Sequence, residues 1–186
     1  SSNGVRIREM ALLRSIFCNN SSRLRIHPII LIWESLNCCI MGSPTDLQRF
    51  IKVQDNSFDA ALAEIKAGRK QSHWMWYIFP QILGLGQSET SKFYAIQNIR
   101  EATSYLQHPV LGKRLIGICH ELCKLGTNNA NAIFGSPDDL KLKSSMTLFS
   151  SLTNTDAVFE QVLAKFFNGS KDLRTLEILE SMKGEL

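Results

Sequence analysis

The chain has 186 residues, of which 44% are hydrophobic and 20% charged, with a formal net charge of +4. That balance fits one globular domain able to bury roughly two-thirds of its unfolded surface, and it excludes a chain too polar to fold. The charge is uneven: residues 1–40 carry five Arg against two Glu, whereas 41–186 carry 16 basic and 15 acidic residues, so the globular part is near neutral and no nucleic-acid-binding surface is expected.

Residues 1–40 are Arg-rich, poor in acids and without Lys, and the chain begins without Met, leaving Met10 and Met41 as candidate starts. The composition matches a transit peptide, or equally an upstream extension ahead of Met41. The apolar run from Ile29 to Trp33 is too short to span a bilayer. Residues 1–43 are therefore expected to be a poorly ordered leader, 44–182 the folded domain and 183–186 a tail. Five Cys (18, 38, 39, 119 and 123) form no even framework, which argues against a secreted disulfide scaffold and for a reducing, intracellular, cytoplasmic setting. An organelle follows only if the leader is genuine. Cys119 and Cys123 read as buried thiols.

Ser43-Pro44-Thr45-Asp46 predicts a helix start with Leu47, Phe50 and Ile51 inward. Asn56-Ser57 predicts the cap of a second helix, with Phe58, Ala61, Leu62 and Ile65 on one face and Gly68 at its end. After the aromatic stretch 72–81, Ser88-Glu89-Thr90 opens a short helix and Asn98 to Leu106 another. Pro109 suits the first turn of a helix over 109–125 with Val110, Leu111, Leu115, Ile118, Cys119 and Leu122 inward. Asn129 to Phe134 is a single turn. Ser136-Pro137-Asp138-Asp139 opens a helix with Leu140, Leu142, Met146, Leu148 and Phe149 inward. Asp156 begins the next, stopped by Asn168-Gly169, and 171–182 is the last, with Leu173, Leu176, Ile178 and Leu179 inward. No segment alternates with period two. The expectation is an all-α single compact domain of seven to nine short helices without a substantial β-sheet.

Three blocks carry chemistry. In the first, Trp74 to Phe79 holds four aromatics in six residues, too much apolar surface for a solvated loop, so one face must be buried. His73 beside Trp74 and Trp76 is a candidate general acid/base or stacking site; the alternative is a His bonding a carbonyl next to core indoles. The second is Gly84-Leu85-Gly86-Gln87-Ser88, ahead of a helix. It offers free amides to an anion, or is simply a tight turn, since it lacks the third Gly of a dinucleotide fingerprint and the Lys of a P-loop. The third is Asp138 to Thr147, in which positions 138, 141 and 145 share one helix face and 139, 143 and 147 another. It either aims Lys141, Lys143 and Ser145 at an anion or is a capped, solvated helix start. His108 before Pro109 closes a helix, and His120 is a satisfied core or surface His. No Cys/His quartet or carboxylate pair supports a metal, and no cofactor is implied.

The blocks Asp46-Leu47-Gln48-Arg49-Phe50, Ser72 to Gln81, Gly84-Leu85-Gly86, Ala102 to Gly112 and Phe134 to Phe149 occur in this order. Over about residues 45–180 they resemble the family known as domain of unknown function 1810. The resemblance implies a compact helical fold and a bacterial-type cytosolic protein without an assigned activity. Some members carry a calpastatin label, which suits a disordered inhibitor and not a chain this apolar. The resemblance also implies that the three blocks belong together.

The expected partner is accordingly a small anionic, nucleotide-like ligand, with no membrane and no nucleic acid. In that reading Trp74 or Trp76 stacks, Gln81, Gly84, Gly86 and Ser88 offer polar groups, Asp138 and Ser145 bond hydroxyls, Lys141 and Lys143 neutralise charge, and His73 is the catalytic candidate. The alternative is a non-enzymatic interaction module that meets a protein through the aromatic stretch. From the composition shift, a chain of residues 41–186 is expected to unfold cooperatively on heating. Loss of that transition in a thermal melt would place the leader in the core.

Overall fold

The computed structural model of the protein describes residues 46–183. The expected leader, the Ser43–Thr45 part of the first cap and residues 184–186 of the tail lie outside that range. The described residues form nine helices and no strand: α1 Gln48–Lys66, α2 Met75–Ile78, α3 Glu89–Phe93, α4 Ile99–Gln107, α5 Leu111–Lys124, α6 Ala130–Phe134, α7 Asp138–Ser150, α8 Val158–Phe167 and α9 Leu173–Lys183. A lone parallel bridge joins Ile82 to Ile96, and the all-α class is as the periodicity requires.

The first two expected helices are one. α1 runs unbroken for 19 residues. Asn56 and Ser57 do not cap; their side chains donate back to the carbonyls of Lys52 (3.3 Å) and Val53 (2.6 Å), one turn earlier. Short polar side chains can bond either an N-terminal amide or an i−4 carbonyl, and the apolar stripe continuing on both sides selects the second. α1 ends as expected at Gly68, which adopts φ +74°. There the Gly68 amide donates to Ile65 O and the Arg69 amide to Glu64 O, the paired bonds of a left-handed glycine cap.

Four of the expected helix starts carry a side-chain cap, whereas α5 begins after Val110 and α7 after Pro137 with none, so Pro109 lies before α5 and not in its first turn. Ser88, Asn98, Asn129 and Asp156 accept backbone amides at the starts of α3, α4, α6 and α8. His108 closes α4, and its Nδ1 accepts the amides of Val110 (3.2 Å) and Leu111 (3.4 Å). Gly112 is needed for packing, because a Cβ there would sit 1.9 Å from Leu106 O.

α5 packs against α1, α4 and α8, while α7 packs against α4, α6, α8 and α9. α7 is the central element: every residue from Ser144 to Ser150 is buried. Ser144, Thr147 and Ser150 donate to its own carbonyls, at Leu140, Lys143 and Thr147, which lets these polar residues sit in its buried part. Thr147 Oγ1 also accepts the Asp172 amide and so anchors the start of α9. Three apolar residues expected inside are exposed: Val110, Leu140 and Leu173. Each lies in the first turn of its helix or just before it, so periodicity overcounts there.

The core is rich in rings. Phe50 meets Tyr105 edge-on with centroids 5.0 Å apart, and Trp74 contacts Phe79 and Phe134 at 6.2 Å each. Trp74 is 1% exposed. Trp74→Ala is expected to destabilise the domain by about 3–5 kcal/mol through lost burial and the cavity left behind, read as a shift of the urea midpoint. A midpoint unmoved within error would mean that the indole is not part of the core.

Candidate functional site

The aromatic stretch is held by α1. Glu64, near the end of that helix, accepts four hydrogen bonds: from the amides of Gln71 (2.7 Å) and Ser72 (3.1 Å), from Ser72 Oγ (2.5 Å) and from Trp74 Nε1 (2.8 Å). Burial alone would raise the Glu64 pKa, but these donors outweigh it and hold the carboxyl at about 2. Nearly three turns earlier, Gln54 donates to Tyr77 O (2.7 Å) and to the buried Tyr105 hydroxyl (2.9 Å). Desolvation raises the pKa of that phenol, so it serves as a neutral hydrogen-bonding group. With both ends of residues 71–77 tied to α1, Trp74, Met75, Ile78 and Phe79 fall into the core, while Trp76 and Tyr77 stay partly accessible.

Trp76 then meets the start of α7. Asp138 shares its carboxylate between two cations, Oδ1 with Lys141 Nζ at 2.7 Å and Oδ2 with Lys70 Nζ at 2.8 Å. Lys141 Nζ lies 4.6 Å from the Trp76 ring centroid, and Lys70 Nζ 5.4 Å from that of Trp74. The three charged side chains are only 11–20% exposed. Burial opposes ionisation of Asp138, but the two lysines more than offset it and lower its pKa. One carboxylate against two ammoniums leaves a net positive charge pinned beside an indole. Ser145, on the face of α7 that carries Asp138 and Lys141, is fully buried, and its Oγ has no partner among the described residues.

Two of the three sequence blocks therefore meet. Trp76, Asp138 and Lys141 come together, with Trp74 behind them and Ser145 further along the same helix face. The other residues have different neighbours. Lys143, expected beside them, donates to Ser170 Oγ (3.2 Å) and lies 5.9 Å from the Phe167 ring, because it is two residues on from Lys141 and points off another side of the helix. A Cβ on Gly84 (φ +101°) would lie 3.4 Å from Ile178, and one on Gly86 2.4 Å from Ser91, so the turn packs on α9 and on its own helix. Ser88 caps that helix, α3. Gln81 uses its carbonyl to accept the Ile96 amide. His73 is exposed and makes no hydrogen bond among the described residues.

Lys70 and Glu64 were missed in the sequence. Neither is singled out by composition or spacing. The available signal was a Glu ten residues ahead of a Trp, across a glycine stop that reverses the chain. Cys119 and Cys123 are free thiols. The pKa of Cys119 is raised by burial, consistent with a packing role. Among the described residues no three His, Cys, Asp or Glu side chains gather as a metal site, and no helix is long and apolar enough to cross a membrane.

An all-helical domain with a lysine–aspartate–lysine cluster set against an indole is thus the class of protein that this chain encodes. It belongs to the family described as protein of unknown function DUF1810, whose model matches residues 44–179. The fold is similar to the crystal structure of the conserved hypothetical protein Rv1873 from Mycobacterium tuberculosis. The TM-score is 0.72 and the identity 43%, over 74% of this chain and 99% of that one. No curated protein matches.

Because Glu64 has a depressed pKa in the fold, its contribution is complete above about pH 4.5 and is lost as pH falls from there toward 2. Urea midpoints measured from pH 6 down to about pH 2.5 are expected to fall more steeply for wild type than for Glu64→Gln, whose side chain does not titrate. Parallel slopes would show that these hydrogen bonds do not depend on the charge.

Proposed function

We propose that the chain binds a small anionic ligand where the aromatic stretch meets the first turn of α7. The observation carrying this reading is the Lys70–Asp138–Lys141 arrangement, in which two ammoniums are held within hydrogen-bonding distance of a single carboxylate. A protein needing only a clip between two segments is served by one ion pair. A second, largely buried cation carries a desolvation cost that a bound anion offsets. Lys141 and Lys70 neutralise a phosphate or carboxylate. Trp76, already under a cation, offers a ring face for a base or another flat group. Ser145, further along the same helix face, is fully buried with an unpartnered hydroxyl and has less support as a ligand contact. His73, one residue before Trp74 and exposed, stands as the acid/base candidate if the ligand is a substrate. Gln81, Gly84, Gly86, Ser88 and Lys143 have less support, since their backbone or side-chain groups are engaged elsewhere. The alternative of a protein-interaction module draws on few accessible rings, with Trp76 and Tyr77 alone partly open within Trp74–Phe79.

A thermal-shift screen of the full chain with inorganic phosphate, nucleotides and ADP-ribose checks this. At about a hundredfold excess over Kd a ligand adds about 2.7 kcal/mol, which in a chain of this size raises Tm by several degrees. The gain is expected in wild type and is expected to disappear in Lys141→Met and Lys70→Met. If no anion moves the wild-type Tm, or if the gain survives in both variants, the cluster is a structural clip and not a binding site.

A further inference from the structure

A second cleft, of about 400 Å³, opens at the far end of α7. It lies between α4, α5 and the connection from α7 to α8, and Leu152 and Asp156 line it. The 13 residues of α7 put about 20 Å between that end and the lysine cluster at Asp138, so the two sites are independent.

The lining has a distinct chemistry. It holds no Lys or Arg and a single carboxylate, Asp156; the other polar groups are neutral hydroxyls and amides. Asp156 Oδ1 is used by the Val158 amide, which caps α8, and Oδ2 has no partner among the described residues. Thr155 Oγ1 is buried and also unpartnered. A buried hydroxyl without a partner costs stability, and a ligand in the cleft would satisfy it. Asn154, held in the left-handed region at φ 57°, and Gln107 bring side-chain amides to the same space. Leu106, Ile116 and Leu152 supply the aliphatic part of the lining.

We infer that this cleft binds a small neutral polyol, such as a monosaccharide or cyclitol. Hydroxyl groups both donate and accept, which matches a lining of amides, hydroxyls and one carboxylate oxygen. A C–H face can lie on Ile116 and Leu152, and the volume is within the range of small-ligand sites. An anion is disfavoured by Asp156 and by the lack of any cation. An ammonium would pair with Asp156 but leave the amide donors of Asn154 and Gln107 unmatched.

The test is saturation-transfer NMR on the full chain with D-glucose, D-ribose and myo-inositol, and with glucosamine as the cationic comparator. At least one neutral member is expected to give transfer from wild type, weakened about tenfold or more in both Thr155→Val and Asp156→Asn. Thr155→Val preserves side-chain shape, and Asp156→Asn keeps an acceptor for the α8 cap, so both variants are expected to fold with Tm near wild type. Lys141→Met is expected to leave the transfer unchanged, which separates this site from the anion site. The inference is overturned if no neutral member gives transfer, if glucosamine alone does, or if binding persists unchanged in either cleft variant.

Discussion

The arrangement of the domain around its aromatic stretch depends on one carboxylate. Glu64 gathers two backbone amides, a hydroxyl and an indole N–H from residues 71–74, so the chain leaving α1 folds straight back along it. A carboxylate is suited to this role because it has about four lone-pair sites and donates nothing. Gln54 repeats the strategy nearly three turns earlier through Tyr77 O. Between these two anchors the run Trp74–Phe79 has a fixed register: Trp74 goes into the core against Phe79 and Phe134, and Trp76 faces α7. Without the anchors, a single turn of helix such as α2 would have no stability of its own.

A second set of polar contacts organises the other end of α1. Arg49 pairs with the buried Glu101 at 2.6 Å and donates to Ala95 O, while Glu101 also accepts the Gln97 amide at 2.6 Å. A buried ion pair is costly unless its remaining donors and acceptors are satisfied; here the carboxylate is bonded on both oxygens, while Arg49 Nε is buried without a partner among the described residues. The pair locks the loop before α4 to the start of α1. The same loop carries Ile96, whose bridge to Ile82 sets the path of the chain after Pro80. Polar side chains thus direct the connections, while the rings of Phe50, Tyr105, Phe149 and Phe159 fill the space between helices.

α7 links these features to the two proposed sites. Its middle is buried all round, with the hydroxyls of Ser144, Thr147 and Ser150 bonded to its own preceding carbonyls and that of Ser145 unpartnered. Its two ends reach solvent with opposite character. The first turn carries a dense cluster of charge against an indole, and the connection after its last turn carries neutral amides and hydroxyls around a cleft. A rigid helix with both ends accessible separates two chemistries within a small domain and holds each at a fixed position.

The all-α class, most helix starts and the helix-ending role of Gly68 were legible in the sequence, because caps and periodicity are local: a side chain and an amide two or three residues away decide them. The identification of Asp138, Lys141 and Trp76 as notable residues was legible too, since charge and aromatic density stand out in any window. Tertiary structure alone decided that Asn56 and Ser57 extend a helix and do not start one. It also decided that Leu140 and Leu173 face out, that Lys143 turns toward Ser170 and that the Gly84–Ser88 turn packs on α9. Lys70 and Glu64 gain their roles from partners 68 and about ten residues away across chain reversals. The physical reason is common to all of these. Helical periodicity gives the direction of a side chain relative to its own axis, but whether that direction meets solvent, a ring or a countercharge depends on where the neighbouring helices lie, and those positions are set by long-range packing that no local window contains.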